Sequence, residues 1–216
     1  MNTKFTQLSN LFQQFRLIPL SQHFALIRFF RQHEPEIEQL AAAEHLTMLA
    51  YFVDALHQEG GQELMLIAHA EELLQLSILH NLQFVDGEDI YLRSLYQKTV
   101  AHLRLNEIEK ATKIAKQLLH LAPHSRQYKF LLQDCLLLNR PNWVKNCFAL
   151  GVFALAAAVA FSVTNILFVE SFYYSWLETS QVFEFSAYSA SAFCLIAGLF
   201  GHYYFVQMQV KKELML

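Results

Sequence analysis

Two long apolar segments without charge, in the last third of the chain, limit what the rest can fold into. They run from Cys147 to Val169 and from Phe185 to Val206. An α-helix crosses the roughly 30 Å hydrocarbon core of a bilayer in about 20 residues. The sequence therefore predicts two membrane-spanning helices, over about 147–169 and 185–206, which form a hairpin through a short loop at 170–184.

The charges beside these segments predict their orientation. Arg140 and Lys145 precede the first segment, and Lys211 and Lys212 follow the second, whereas the 170–184 loop has glutamates and no Lys or Arg. Lys and Arg are enriched in cytoplasmic loops. The first 30 residues also lack the apolar core of a signal peptide. We therefore expect an integral membrane protein with both termini in the cytoplasm and the loop outside.

The remaining sequence is typical of helices. Gly (6) and Pro (4) are scarce, which disfavours a loop-rich β fold. The three cysteines form no CxxC pair, so we expect neither a disulfide framework nor a zinc site. We predict three parts: basic amphipathic helices over 1–34, a helical domain over 35–140, and the hairpin with a short tail over 141–216.

The first part contains Phe at helical spacing on either side of Pro19. Two interpretations stay open for these short basic helices. They pack on neighbouring helices, or they lie on a membrane surface.

Charge is segregated along the chain. Residues 34–92 contain twelve acidic and no basic side chains, and residues 93–146 contain ten basic against three acidic ones. The basic block is suited to anionic lipid headgroups. Two alternatives are docking of the acidic block on the basic block, within or between protomers, and binding to nucleic acid. The lack of interleaved aromatics and of a known module disfavours nucleic acid.

Helix-ending signals divide the middle of the chain. A long helix is expected from Pro35 to about His57, ending before Gly60-Gly61. The stretch from Asn81 to Asp89 is expected to be a loop. Further helices are predicted over about 62–79, 90–105, 107–121 and from 125 to just before Asn139.

Residues 92–125, LRSLYQKTVAHLRLNEIEKATKIAKQLLHLAPHS, are 34 residues long and combine small residues at packing positions with a terminal proline. Ala101, Ala111 and Leu118 occupy the small-residue positions, and Pro123 ends the unit. This segment resembles a tetratricopeptide repeat (TPR). It departs from the family pattern at Leu95, Thr99, His102 and Ala115. A weaker copy lies 45 residues upstream, where Tyr51 aligns with Tyr96, and a half repeat follows Ser125.

The resemblance implies a concave groove, lined by the first helix of each repeat, that binds a peptide or a partner helix. Two arginines of that groove would bind a carboxylate or phosphate through their planar forks. The alternative is that these side chains are ordinary packing and solvated residues. The residues that the resemblance places in the groove are Tyr51, Arg93, Tyr96, Arg104 and Phe130, with Gln58 and Gln127 nearby.

Ten histidines raise the question of a metal or catalytic site. His33, His45, His57 and His69 recur every twelve residues, a spacing that places successive side chains about 120° apart around a helix. They would not converge, and we expect no metal and no cofactor. Arg28 and His33 match the RxxxxH pattern of HEPN-type ribonucleases, a short motif that makes a ribonuclease the last of our candidate functions.

Small residues recur along both apolar segments and predict close helix contact. These residues would allow the two helices of one hairpin to pack together, or the hairpins of several copies to pack into an oligomer. The residues concerned are Ala154, Ala158, Ala190, Gly198 and Gly201.

Together these patterns predict an all-α protein in which TPR-like antiparallel helix pairs precede a two-helix transmembrane hairpin. The function that they favour is non-enzymatic: a membrane-tethered, cytoplasm-facing adaptor or scaffold that binds a protein partner and membrane lipids. The alternative is an oligomeric membrane effector or pore, a homo-oligomer whose helical soluble domain senses or regulates.

Overall fold

The computed structural model describes residues 10–169 and 177–214. They belong to two compact units, Met1–Cys135 and Leu136–Leu216. The described residues are mostly helical, with turns and one small ribbon between the helices, and the helical fold class predicted from the sequence is confirmed at that level.

Among the residues that the structure describes, the first unit contains seven helices, the start of another, and a two-stranded antiparallel ribbon in which Phe84 pairs with Asp89. The last of these helices, α8, extends beyond Cys135 into the second unit. The elements are α1 (10–16), α2 (His23–Gln32), α3 (Glu34–Ile37), α4 (Ala42–Glu59), α5 (Glu63–His80), β1 (Phe84–Val85), β2 (Glu88–Asp89), α6 (Ile90–Arg104), α7 (Ile108–Leu121) and α8 (Arg126–Leu138).

The helix expected from Pro35 to His57 is broken after one turn. Gln39 and Leu40 donate backbone hydrogen bonds three residues back, to Glu36 and Ile37, which is the tighter 3₁₀ pattern. Ala41 is then extended, with φ −59° and ψ 142°, and α4 begins after it. The fully buried Ile37 anchors the short turn in the core. The predicted loop at 81–89 contains the ribbon, whose turn uses positive φ at Asp86 and Gly87.

The N-terminal helices pack into the first unit. Leu11, Phe15, Leu26 and Phe30 are buried, and the Phe30 ring stacks on Phe52 of α4 at a centroid distance of 4.1 Å. These contacts correspond to the interpretation in which the Phe pattern of residues 1–34 packs on neighbouring helices.

Helices that are adjacent in sequence pack on each other: α4 on α5, α5 on α6, and α6 on α7, with α2 also on α4. Two of the connections, α4–α5 and α6–α7, are only a few residues long, which makes these pairs antiparallel. The small residues Ala101, Ala111 and Ala115 are fully buried, so α6 and α7 approach closely. Asp89 caps α6 by accepting a hydrogen bond from the Leu92 backbone N–H at 3.0 Å.

The second unit is a helical hairpin. Helix α9 (Asn142–Thr164) continues as a π-helical turn (Asn165–Val169), and α10 (Leu177–Glu213) packs along it. Two segments are long and apolar enough to cross a membrane: Asn142–Leu167, with a mean hydropathy of 2.2, and Thr179–Glu213, with 1.5.

Helix α10 is longer at both ends than the predicted span of 185–206. It begins at Leu177, so residues 177–184 of the predicted loop are helical, while residues 170–176 of that loop lie outside the described residues. It also continues to Glu213, where Val206 and Val210 are still buried and no Gly or Pro follows Gly201 to stop the helix.

Glycines and one serine hold the two helices of the hairpin together. A Cβ on Gly151 would lie 2.8 Å from a methyl carbon of Leu195, so the α9 backbone touches this side chain. Ser191 is almost fully buried and donates to the Gly151 carbonyl at 2.9 Å. Of the predicted small residues, Gly198 and Gly201 face Cys147 and Trp143.

The three predicted alanines differ in their positions. Ala158 is buried and Ala154 is half-buried. Ala190, predicted to pack between helices, is exposed in the single chain because its neighbour Ser191 faces α9 instead.

Candidate functional site

A groove with a volume of about 470 Å³ is formed by residues of the first unit. We call it the polar groove. Its walls come from three separate parts of the sequence: α4, the consecutive elements β2 and α6, and α8. The residues that line it are Asp54, His57, Gln58, Glu88, Asp89, Leu92, Arg93, Tyr96, Gln97, Gln127 and Tyr128.

Two of the five predicted groove residues, Arg93 and Tyr96, line the polar groove, and so do Gln58 and Gln127. The other three lie elsewhere. The Tyr51 hydroxyl donates to Asp86 in the ribbon turn, and burial and this bond raise the pKa of Tyr51 to about 12.

Arg104 donates to the His57 carbonyl at 3.1 Å, at the end of α4. Phe130 is 60% exposed on α8. Neither side chain is among those that line the groove.

Arg93 forms ion pairs with two carboxylates of its own chain. Its guanidinium donates to Asp54 on α4 and, at 2.6 Å, to Glu88 on β2. Gln97 donates to the other oxygen of Asp54. This finding corrects the expectation that Arg93 offers a free fork to a carboxylate or phosphate. The side chain of Asp54 is only 16% exposed, and a carboxylate at that depth requires partners of its own.

Burial controls the titration of two groups in the groove. Burial raises the pKa of Asp54, against the opposing effect of Arg93 and Gln97. Burial also lowers the pKa of His57, and the positive charges of Arg104 and Arg93 lower it further. His57 is therefore neutral near pH 7, where an unperturbed histidine is already mostly uncharged.

The groove has an acidic balance. Its three carboxyl groups, Asp54, Glu88 and Asp89, outnumber the single guanidinium of Arg93, so its formal charge is negative. The rings of Tyr96 and Tyr128 lie side by side with centroids 6.2 Å apart. Carboxylates next to aromatic faces are suited to Lys and Arg side chains, which bind through charge and through cation–π contact.

Sequence reasoning missed Asp54, which organises the groove. One signal was present: Asp54 is the only charged residue in the apolar run from Leu46 to Leu56. A lone charge in a run that is otherwise buried indicates a paired or functional group.

A second group of polar side chains lies between the helices of the hairpin. Ser162 donates to the Glu184 carboxylate and lies 3.0 Å from the Tyr188 hydroxyl. Asn165 donates from Nδ2 to the other oxygen of Glu184 at 3.3 Å. We call these four residues the hairpin cluster. They show why Glu184 joins α10 instead of the predicted loop, since Ser162 and Asn165 both donate to its carboxylate.

A cavity of about 580 Å³ lies beside the hairpin cluster and is mostly apolar. We call it the hairpin groove. The residues that line it are Ala157, Ala158, Phe161, Thr164, Asn165, Thr179, Ser180, Phe183 and Ala187.

The evenly spaced histidines occupy separate environments. His69 packs edge-on against the stacked rings of Phe30 and Phe52, and its side chain bonds to Glu72 at 3.0 Å. His33 follows the last turn of α2 and lies 3.8 Å from Glu36, and Arg28 is exposed on α2. Within residues 10–169 and 177–214, no group of three His, Cys, Asp or Glu side chains is placed to hold a metal ion.

No protein-family model, curated protein or solved structure matches this chain. The polar groove and the hairpin are therefore the basis on which a function can be assigned.

Proposed function

We propose that this protein is a membrane-tethered adaptor that faces the cytoplasm and recruits a protein partner through the polar groove. The observation that carries the proposal is the groove itself, in which α4, α6 and α8 present polar and aromatic side chains to one opening. In our TPR-like interpretation these are the first helices of two repeats and of a half repeat. Peptide binding by first helices is what that resemblance implies.

The hairpin supports the proposal that this protein is attached to a membrane. Large apolar side chains are exposed along both helices, including Phe153 and Val159 on α9 and Phe193 and Phe200 on α10. In water, a surface of this size would drive aggregation, whereas lipid covers it at no cost. The paired Lys211 and Lys212 in the last turn of α10 favour a cytoplasmic C-terminus.

The acidic balance favours a basic partner segment. Glu88 is 65% exposed, so one face of its carboxylate is available beyond the bond to Arg93. A Lys or Arg of the partner would contact Glu88 and Asp89 and pack its methylene stem on Tyr96 and Tyr128. The partner proposed here is a protein segment rich in Lys or Arg.

Site-specific photo-crosslinking tests the adaptor proposal in cells that express the full chain. A photoreactive amino acid at Gln127, which is exposed in the groove, is expected to capture a discrete partner. The same probe at Phe130, exposed on the same helix but outside the groove, serves as the positional control.

Charge reversal completes that test. Glu88→Lys is expected to abolish the Gln127 crosslink, while Glu36→Lys, an exposed acid on α3, leaves it unchanged. Identical adducts from both probe positions, or a crosslink that survives Glu88→Lys, would refute the proposal.

Membrane location has its own test. We expect the chain to stay with the membrane pellet after alkaline extraction. A tag fused after Leu216 is expected to be protected in intact cells. A chain released into the supernatant would remove the tether from the proposal, and a tag accessible from outside would reverse the orientation.

A second candidate, the oligomeric membrane effector or pore, is favoured by the hairpin cluster. A carboxylate such as Glu184 in an apolar hairpin is costly and often marks a path for ions or protons. Reconstituted protein that conducts ions, with a conductance altered by Glu184→Gln, would favour the effector over the adaptor. Absence of conductance in that assay would favour the adaptor function over the effector function.

A further inference from the structure

We propose that residues 17–24, which join α1 to α2 and include the start of α2, insert into the surface of a bilayer that contains anionic phospholipid. We call these residues the corner. Such a contact goes beyond the adaptor role, because it concerns the first unit and is independent of what binds in the polar groove. It rests on attachment of the chain to a membrane through the hairpin.

The corner exposes large apolar side chains that the core of the first unit does not use. Leu17 is 82% exposed, Leu20 is 56% exposed and Phe24 is 73% exposed. They lie within eight consecutive positions, and exposed apolar side chains grouped in this way mark a surface that contacts a partner or a membrane. Phe15 and Leu26, on either side of the corner, are buried in the core. The corner therefore has a fixed base and an apolar outer surface.

The backbone of the corner is suited to the edge of a bilayer. The Ile18 N–H donates to the Phe15 carbonyl at 3.0 Å, and the Gln22 N–H donates to the Pro19 carbonyl at 2.8 Å. Pro19 itself has no N–H that lipid would leave unpaired. A backbone polar group enters an apolar phase at a cost unless it has an internal partner, so these bonds lower the cost of insertion.

The charge around the corner favours an anionic lipid surface. Residues 10–33 contain Arg16, Arg28 and Arg31 and no acidic side chain. Arg31 donates to Gln62, whereas Arg16 and Arg28 are exposed, and within the described part of the chain neither of them forms an ion pair. Apolar side chains beside such cations are typical of segments that lie at an anionic membrane interface. Two corners that faced each other would bring their arginines together, which disfavours a second copy as the occupant.

The hairpin would keep a bilayer within reach of the corner. A second contact made by a chain that is already attached is intramolecular in effect, so the local concentration of lipid is high. Membrane attachment generally becomes stable when two weak signals act together. A few apolar side chains and two arginines are then sufficient to populate the inserted state.

Fluorescence quenching in the reconstituted full-length chain tests insertion of the corner. An environment-sensitive fluorescent amino acid replaces Leu20, and the vesicles contain phosphatidylcholine, with or without phosphatidylglycerol, and a phospholipid that carries a spin-label quencher. The same amino acid at Leu64, a residue of α5 that is 73% exposed beside Glu63, is the control position. We expect strong quenching at position 20 in anionic vesicles and little quenching at position 64.

Substitutions at exposed positions separate the apolar and the charged contributions. With the probe at position 20, Phe24→Gln and the double variant Arg16→Gln, Arg28→Gln are each expected to weaken insertion at least about tenfold. Removal of phosphatidylglycerol should act like the double variant. Leu64→Gln, at a residue as exposed as Phe24, is expected to leave the quenching unchanged.

Flotation of the same vesicles separates insertion of the corner from attachment through the hairpin. A chain that floats with the vesicles while its corner probe is not quenched would overturn the corner contact and leave the attachment, even if a second copy or another protein is then found to cover the corner. Equal quenching at positions 20 and 64, or quenching that persists in every variant, would also overturn it. A chain that does not float would overturn both.

Discussion

The guanidinium of Arg93 on α6 is ion-paired with the carboxylate of Asp54 on α4, across 39 positions of sequence. The same guanidinium donates to Glu88 on β2. One cation thus links two helices and the ribbon at the floor of the polar groove. The pair is structural, and the Glu88 side chain remains 65% exposed beside it, which is the basis of the basic partner that we propose.

Arg93→Gln should destabilise the first unit. It leaves Asp54 partly buried without its cation, and loss of one partner of such a pair costs about 1–3 kcal/mol at this degree of exposure. Thermal unfolding of the full chain in detergent would measure the change. Adding Asp54→Asn to Arg93→Gln should restore part of the loss, because the uncompensated charge is then gone.

The control for this prediction is Lys110→Ala. Lys110 is 64% exposed and pairs with Glu107 on the surface of α7, so its removal should leave the unfolding temperature unchanged. Equal effects of Arg93→Gln and Lys110→Ala would contradict the structural role of the Arg93 pair.

Gly198→Cys should form a disulfide with the native Cys147 under mild oxidation. A Cβ at position 198 lies 3.4 Å from the Cβ of Cys147, close to the separation found in disulfides. A mobility shift on non-reducing gels, reversed by reductant, would measure it. Phe193→Cys, which is 72% exposed, should not join Cys147, and rapid crosslinking there would mean that the hairpin packs differently.

Gly151→Ala should loosen the hairpin. The new methyl would lie 2.8–2.9 Å from two Leu195 carbons, and such overpacking costs about 1–3 kcal/mol. The rate of the Cys147 disulfide in the Gly198→Cys background provides the measurement, and it should fall. Leu195→Ala in the same chain should recover the rate by making room, and a failure to recover it would place the clash elsewhere.

The first unit should lose stability as the pH falls below about 6.5. Burial lowers the pKa of both His45 and His57 in the folded chain, so the unfolded chain binds more protons just below its own pKa of 6.5. Their contribution is present above that pH and is lost as pH falls toward the folded pKa values. Unfolding temperatures measured from about pH 7.5 down to about pH 5.5 would show the slope.

Histidine variants identify the source of that slope. The double variant His45→Gln, His57→Gln should flatten it, whereas His124→Gln, at an exposed position, should not. A slope that persists in the double variant would assign the pH dependence to other groups.

Local signals were enough to predict much of the fold. Gly60-Gly61 and Pro123 mark helix ends that the structure places within a few residues, and uncharged length alone located the two candidate spans. The break at 38–41 could not be predicted in this way, because no Gly or Pro is there and the burial of Ile37 decides it. The start of α10 likewise depends on the contact of Glu184 with α9.

The candidate site was predicted less completely. The TPR-like register predicted that Arg93 and Tyr96 share a face of their helix, and both line the polar groove, because helical spacing alone determines which residues share a side. It could not show that Arg93 was already paired, since its partner Asp54 is far away in sequence. The charge balance of the groove, from which we propose a basic partner, therefore depends on tertiary contacts.

Helix α10 has 37 residues, which at 1.5 Å per residue gives a rod of about 55 Å. The hydrocarbon layer accounts for only roughly 30 Å of that length. A continuous rod without a hinge behaves as a lever. In the membrane-spanning arrangement that we propose, a small change of tilt would displace Lys211 and Lys212 by several ångströms, so bilayer thickness would set the reach of this basic segment.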